Sequence, residues 1–119
     1  MATKKNLIQE KSFNFALSII GLYKKLTTQK EYIISKQLLR SGTSIGANVE
    51  EALAGQTKKD FISKMSIASK ESRETKYWLR LLDESQFVIF DYKNYLNDIT
   101  EIINIITAIV KTSQSKLNL

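Results

Sequence analysis

Residues 37–82 read QLLRSGTSIGANVEEALAGQTKKDFISKMSIASKESRETKYWLRLL, and their spacing is helical throughout, with a one-turn break at Gly55. In the first half Gln37, Arg40, Ser44, Asn48 and Glu51 recur at steps of three or four and line one polar stripe. Ile34, Leu38, Ile45, Val49 and Leu53 form a separate apolar stripe on the same helix. A helix with both an apolar and an ordered polar seam has two different neighbours. Ser41, Gly42 and Thr43 are poor helix formers. Both stripes nevertheless stay in phase across Gly42 and Gly46, so one helix over residues 31–54 is expected. Two glycines four apart also let another backbone come close.

Gly55 reads as a helix stop, and Thr57-Lys58-Lys59-Asp60 as a near relative of the capping box, with an N-cap threonine and an acid three residues later. The helix that follows has the seam Phe61, Met65, Ala68, Ser72, Thr75, Leu79 and Leu82. Its steps of four and three are the period of left-handed bundle packing. Upstream, residues 7–27 form a first helix with Ile8, Ser12, Phe15, Ile19, Leu22 and Leu26 on one face. Gly21 inside it costs about 1 kcal/mol relative to alanine and reads as tolerated. Downstream, residues 83–90 form a linker and Asp91 caps a fourth helix with the seam Leu96, Ile99, Ile103, Ile106 and Val110. Lys111 and Lys116 suit the dipole at that helix's C-terminus. Short connections make neighbours antiparallel. The expected fold is all-α, an antiparallel up-down-up-down four-helix bundle forming one domain over residues 1–119, frayed at 1–6 and 114–119.

Composition agrees: 43% hydrophobic and 25% charged residues suit a globular chain, and the absence of proline leaves little to interrupt a helix. Without cysteine or histidine there is no disulfide, thiol nucleophile, imidazole base or zinc site of ordinary type. The start of the chain lacks the apolar run of a secretory signal. No stretch approaches the roughly 20 apolar residues that span a bilayer. The most apolar, residues 99–110, is broken by Thr100, Glu101, Asn104 and Thr107. A cytoplasmic location with no membrane partner is expected.

Candidate chemistry is sparse. Glu50, Glu51, Asp60, Glu71 and Glu74 could suggest a carboxylate-bridged metal pair, but the usual Glu-x-x-His partners are missing, and a structural role for these acids is the stronger reading. Ser41, Ser44 and Ser72 have no visible general base, and residues 42–46 lack the spacing and lysine of a phosphate-binding loop. Neither an enzyme nor a cofactor is expected. The Arg40, Ser44, Asn48, Glu51 stripe, with Glu74 opposite, reads as a polar network fixing helix register or subunit orientation, ahead of a ligand-lined channel.

Two surfaces point to partners. Lys59, Lys70, Arg73, Lys76 and Arg80 share a broad face of the third helix beside Tyr77 and Trp78. With net charge +6 this face could meet the phosphates of structured RNA or DNA in a salt-sensitive way. The plainer alternative is a solvated face whose lysines and arginines pair with Glu71 and Glu74 one turn away. Apolar residues also exceed what one seam needs: Tyr95, Ile102, Ile105 and Ile109 in the fourth helix, and Ile62, Trp78 and Leu81 in the third. A homo-oligomer interface at Ile102, Ile105 and Ile109 is expected to cover that surplus.

At these residues the chain resembles the small proteins encoded in intervening sequences of bacterial large-subunit ribosomal RNA genes, often labelled ribosomal-protein-like. The resemblance runs nearly full length. It rests on Lys11-Ser12 with Phe15-Ala16, on Gln37-Leu38-x-Arg40 followed by Ser44-Ile45-x-Ala47-Asn48-Val49-x-Glu51, and on Lys59-Asp60-Phe61 with Ile67-Ala68, Ser72 and Glu74. Glu50 and Ala52 depart from the family's Ala-Asn-Ile-Ala-Glu-Gly run, and Glu71 stands where the family tends to have glycine. The resemblance implies an antiparallel four-helix bundle that assembles into a ring-like homopentamer, and supplies no catalytic residue. The chain is also similar to accessory proteins of diversity-generating retroelements, whose basic barrels contact nucleic acid and reverse transcriptase. That likeness implies those two partners.

Overall fold

The computed structural model describes residues 4–117, with side chains described from Leu7 onward. Four helices follow one another: α1 (Lys4–Thr28), α2 (Ile34–Leu53), α3 (Lys58–Ser85) and α4 (Lys93–Leu117). Each packs on its sequence neighbour and α1 closes the ring on α4, while the diagonal pairs do not pack. The result is an up-down bundle measuring 50 × 24 × 23 Å, in which the α1–α4 approach is the loosest of the four. Residues 1–3 and 118–119, where fraying was expected, lie outside the described residues; 4–6 and 114–117 are helical.

The core forms where the seams meet. All six seam positions of α1 are buried, from Ile8 to Leu26, as are Leu38, Ile45 and Val49 of α2. Met65, Ala68, Leu79 and Leu82 of α3 and Ile99, Ile103 and Ile106 of α4 complete it. Each large aliphatic side chain removed from water in this way contributes about 1.5–3 kcal/mol.

Helix α2 is unbroken through Ser41, Gly42 and Thr43, and packing explains why. Gly42 lies against Ile19 of α1, where an added Cβ would meet Ile19 Cγ2 at 2.9 Å. Ser41 is fully buried and its hydroxyl accepts a 2.9 Å hydrogen bond from Thr75 Oγ1 of α3. Thr43 Oγ1 donates to Leu39 O at 2.7 Å, satisfying its hydroxyl within the helix.

Two internal boundaries differ from the sequence reading by a turn, the start of α2 and the end of α3. Helix α2 starts at Ile34 because Lys30 is left-handed (φ 65°) and Glu31 turns its side chain into the helix start. The buried Glu31 carboxylate accepts from the backbone N–H groups of Ile33 and Ile34, both at 2.9 Å, and of Ser35 at 2.6 Å. Three orphan donors of a helix N-terminus are thereby met by one acid. Gly55 is not left-handed; the chain leaves it small because a Cβ would come within 3.1 Å of Ala52 O and 3.3 Å of Asp60 Cβ. Thr57 then caps α3 as expected, accepting from Asp60 N at 3.0 Å.

Helix α3 runs one turn beyond Leu82, to Ser85, and ends on Gln86, which is left-handed (φ 48°) and donates its N–H to Leu82 O at 3.0 Å. The connection to α4 is correspondingly shorter and well tied. Tyr92 is fully buried and its hydroxyl donates to Val88 O at 2.8 Å, while Asp91 Oδ1 accepts from Lys93 N at 3.0 Å.

Candidate nucleic-acid interface

Helix α3 is held by its N-cap, its buried seam and its Gln86 terminus, so the side chains on its far side are fixed in direction if not in conformation. Lys59, Lys70, Arg73 and Arg80 are exposed and Lys76 is half-buried. At about 100° and 1.5 Å per residue, Lys59, Lys70 and Tyr77 fall on one line, with Arg73 and Arg80 on a second roughly 60° away and Lys76 beyond it. The band is about 30 Å long. Tyr77 sits half-exposed within it, its ring edge-on to Trp78 with centroids 5.1 Å apart.

The acids of α3 decide what this band can do. Glu71 and Glu74 do not pair with the lysines and arginines of their own helix; they turn toward α2. There Arg40 reaches both, 3.3 Å from Glu71 Oε2 and in direct contact with Glu74 Oε2. Trp78 Nε1 donates to the same Glu74 oxygen at 3.0 Å. The indole bond first, and then Arg40, hold the Glu74 carboxyl below its ordinary range, and Glu74 in turn raises the Arg40 guanidinium. Charge is therefore sorted across α3, with acid on the α2 side and base on the outside. Among the described residues Lys59, Lys70, Arg73 and Lys76 have no ion pair. Arg73 donates to Thr107 Oγ1 of α4 at 3.2 Å, and Arg80 pairs with Glu84 at 3.3 Å.

The polar stripe of α2 resolves into separate parts. Arg40 engages Glu71 and Glu74, and Glu51 engages Lys64 at 2.9 Å. Between them Asn48 Nδ2 donates to Ser44 O at 2.9 Å and Ser44 Oγ at 3.2 Å, within its own helix. The Arg40 and Glu51 contacts tie α2 to α3. Arg40 is half-exposed, so they line no enclosed channel. Glu50, on the opposite side, accepts from Gln9 Nε2 of α1. Among the described residues no group of three acids could hold a metal ion, and no helix is long and apolar enough to cross a membrane.

The apolar surplus lies only partly where the sequence reading placed it: Leu81 is 37% exposed, and Ile62, Trp78 and Tyr95 are half-buried. Ile102 is 2% exposed and belongs to the chain's own core, so it has little surface left for a partner; Ile105 and Ile109 pack partly against the same core. A more exposed apolar stripe lies on α1: Phe13 is 60%, Leu17 54% and Ile20 38% exposed, directly opposite the buried seam. Steps of four and three in FNFALSII carried that signal, masked by the inward seam that shares the helix.

A family model described as 23S rRNA-intervening sequence protein matches residues 4–108. The chain is similar to a crystal structure of a protein of unknown function from the S23 ribosomal protein family of Bacteroides thetaiotaomicron. The two are 48% identical with a TM-score of 0.87, over 92% of this chain and 99% of that one. No curated protein matches the chain significantly.

Proposed function

The chain belongs to the 23S rRNA-intervening-sequence protein family, and on that premise we propose that it is a self-associating, non-catalytic accessory protein that holds structured RNA or DNA against the outer face of α3. The observation that carries this reading is the sorting of charge. Arg40 of α2 draws Glu71 and Glu74 away, leaving Lys59, Lys70, Arg73 and Lys76 without acidic partners on a chain of net charge +6. Such a band gains from releasing phosphate counterions, and Tyr77 adds a ring on which an unpaired base can stack.

Fluorescence anisotropy against a structured RNA and a matched DNA duplex, at low and near-physiological salt, tests it. Lys70→Glu with Arg73→Glu should lower affinity at least about tenfold and make the salt slope shallower by about two, with unchanged helicity and mass. Unchanged affinity would remove α3 from the account.

A second reading, a scaffold that only self-associates or holds a protein, is favoured by the Phe13, Leu17, Ile20 stripe. In both readings that stripe, with Ile105 and Ile109 adding less, is the surface that builds the oligomer, a pentamer by family likeness. Leu17→Glu should reduce the mass seen in sedimentation; an unaltered mass refutes the assignment. A reverse-transcriptase partner rests on the likeness to retroelement accessory proteins, and co-purification with such an enzyme tests it.

A further inference from the structure

The end of the bundle where α1 and α3 finish carries four of the chain's most exposed apolar side chains: Ile89 (89%), Ile33, Phe87 and Tyr32. Two of them sit on a segment that is held rather than loose. Gln86 Nε2 donates to Phe90 O at 3.2 Å and Phe90 N donates to Gln86 Oε1 at 3.3 Å, so a side-chain amide stands in for a paired strand. Tyr92 fixes Val88 O from beneath. Side chains in residues 87–90 therefore alternate, Val88 and Phe90 packed inward, Phe87 and Ile89 outward. Apolar groups displayed on a rigid segment bind at a smaller entropic cost than the same groups on a mobile one.

Between this segment and α1 lies an open groove of about 590 Å³, lined by residues 87–90 on one side and Lys24, Lys25, Thr28 and Gln29 on the other, with the buried Leu22 and Leu26 behind it. Its rim is basic: Lys24 is exposed, Lys25 places Nζ 4.7 Å from the Phe90 ring centroid, and Lys30 stands at the adjoining turn. Most of the nearby acids are otherwise engaged, and Asp83, beside Tyr92, has no ion pair among the described residues. Glu31 is spent on the start of α2, Glu84 on Arg80 and Asp91 on Lys93 N, and none of the three lysines has an ion pair among the described residues. The N–H and C=O of Ile89 make no hydrogen bond among the described residues.

We infer that this groove is a docking site for an acidic peptide segment with apolar anchors, carried by a protein partner. Its apolar residues seat on Phe87, Ile89 and the exposed part of Phe90, its carboxylates meet Lys24 and Lys25, and its backbone runs beside residues 87–90. A concave groove walled by Phe87, Ile89 and Phe90, with free backbone groups beside it, suits a peptide better than a flat lipid surface. The site is separate from the α3 band, and the two stand or fall independently.

The test uses the full chain and a labelled short peptide alternating glutamate and leucine, compared with its lysine-for-glutamate counterpart, phosphatidylserine-containing vesicles and oligouridylate. The glutamate peptide should bind and shift the amide resonances of residues 24–28 and 87–90. Lys24→Glu with Lys25→Glu, and separately Ile89→Ser, should each weaken it at least about tenfold, while Lys70→Glu leaves it unchanged. Ile89 is so exposed that its replacement leaves the fold intact. The inference is overturned if the glutamate peptide fails to bind at low salt, if Ile89→Ser has no effect, or if vesicles or oligouridylate bind more tightly through the same residues.

Discussion

Helix α2 treats its two neighbours differently. Toward α1 it presents Gly42, and the fit is one of shape, with the Ile19 side chain lying where a Cβ would be. Toward α3 it presents Ser41 to Thr75 and Arg40 to Glu71 and Glu74, and the fit is one of donors and acceptors. Shape contacts tolerate little added volume, while exposed polar contacts can be lost cheaply because water replaces them. The α1–α2 seam should therefore govern stability, and the outer part of the α2–α3 seam should govern where charge lies.

The comparison breaks first at Gly42. Gly42→Val should cost about 1–3 kcal/mol in urea unfolding, because the β-branched Ile19 cannot move aside freely. An equal loss from Gly21→Ala, where propensity favours alanine, would show that the cost is not specific to the seam. Gly21 instead has nothing within 4 Å of its added Cβ, so that change should stabilise by about 0.5–1 kcal/mol. Thr75→Val, in the buried part of the polar seam, should cost about 1 kcal/mol by leaving Ser41 without its donor. Arg40→Met should cost less than about 1 kcal/mol, since the pair is solvent-screened, yet should weaken nucleic-acid binding by returning Glu71 and Glu74 to the basic band.

The smallest effect is a titration. Glu74 is depressed below 4.5 in the fold, so the stability it contributes is complete above that value and is lost as pH falls through the lowered one. Trp78→Phe removes the leading cause and should move the Glu74 carboxyl resonance midpoint upward. A midpoint that stays in place would give Arg40 the whole effect.

Much of the bundle was legible because seam periodicity and burial are the same fact seen twice: every seam position of α1 named from spacing is buried. The Thr57 cap was legible because its chemistry is local. Glu31 was not, since a carboxylate that meets three N–H groups beyond it has no spacing to betray it. The last turn of α3 was missed because Asp83, Glu84 and Ser85 continue no apolar seam; the Arg80–Glu84 pair and the Gln86 terminus sustain it instead. For the α3 band, the cations were readable, but the decisive direction of Glu71 and Glu74 depends on a guanidinium 31 and 34 residues away.

Gln86 occupies a backbone conformation that glycine would adopt without strain, yet glycine has no amide to grip Phe90. Order in residues 87–90 thus comes from side chains, Gln86 gripping Phe90 and Tyr92 holding Val88 O, and not from a helix or sheet. The amide proton of Phe90 should exchange slowly in deuterated solvent although it lies outside regular structure, and Gln86→Gly should release it while the helical amides keep their protection. A segment secured by side-chain latches at its two ends can vary at its outward positions, Phe87 and Ile89, without disturbing the bundle beneath it.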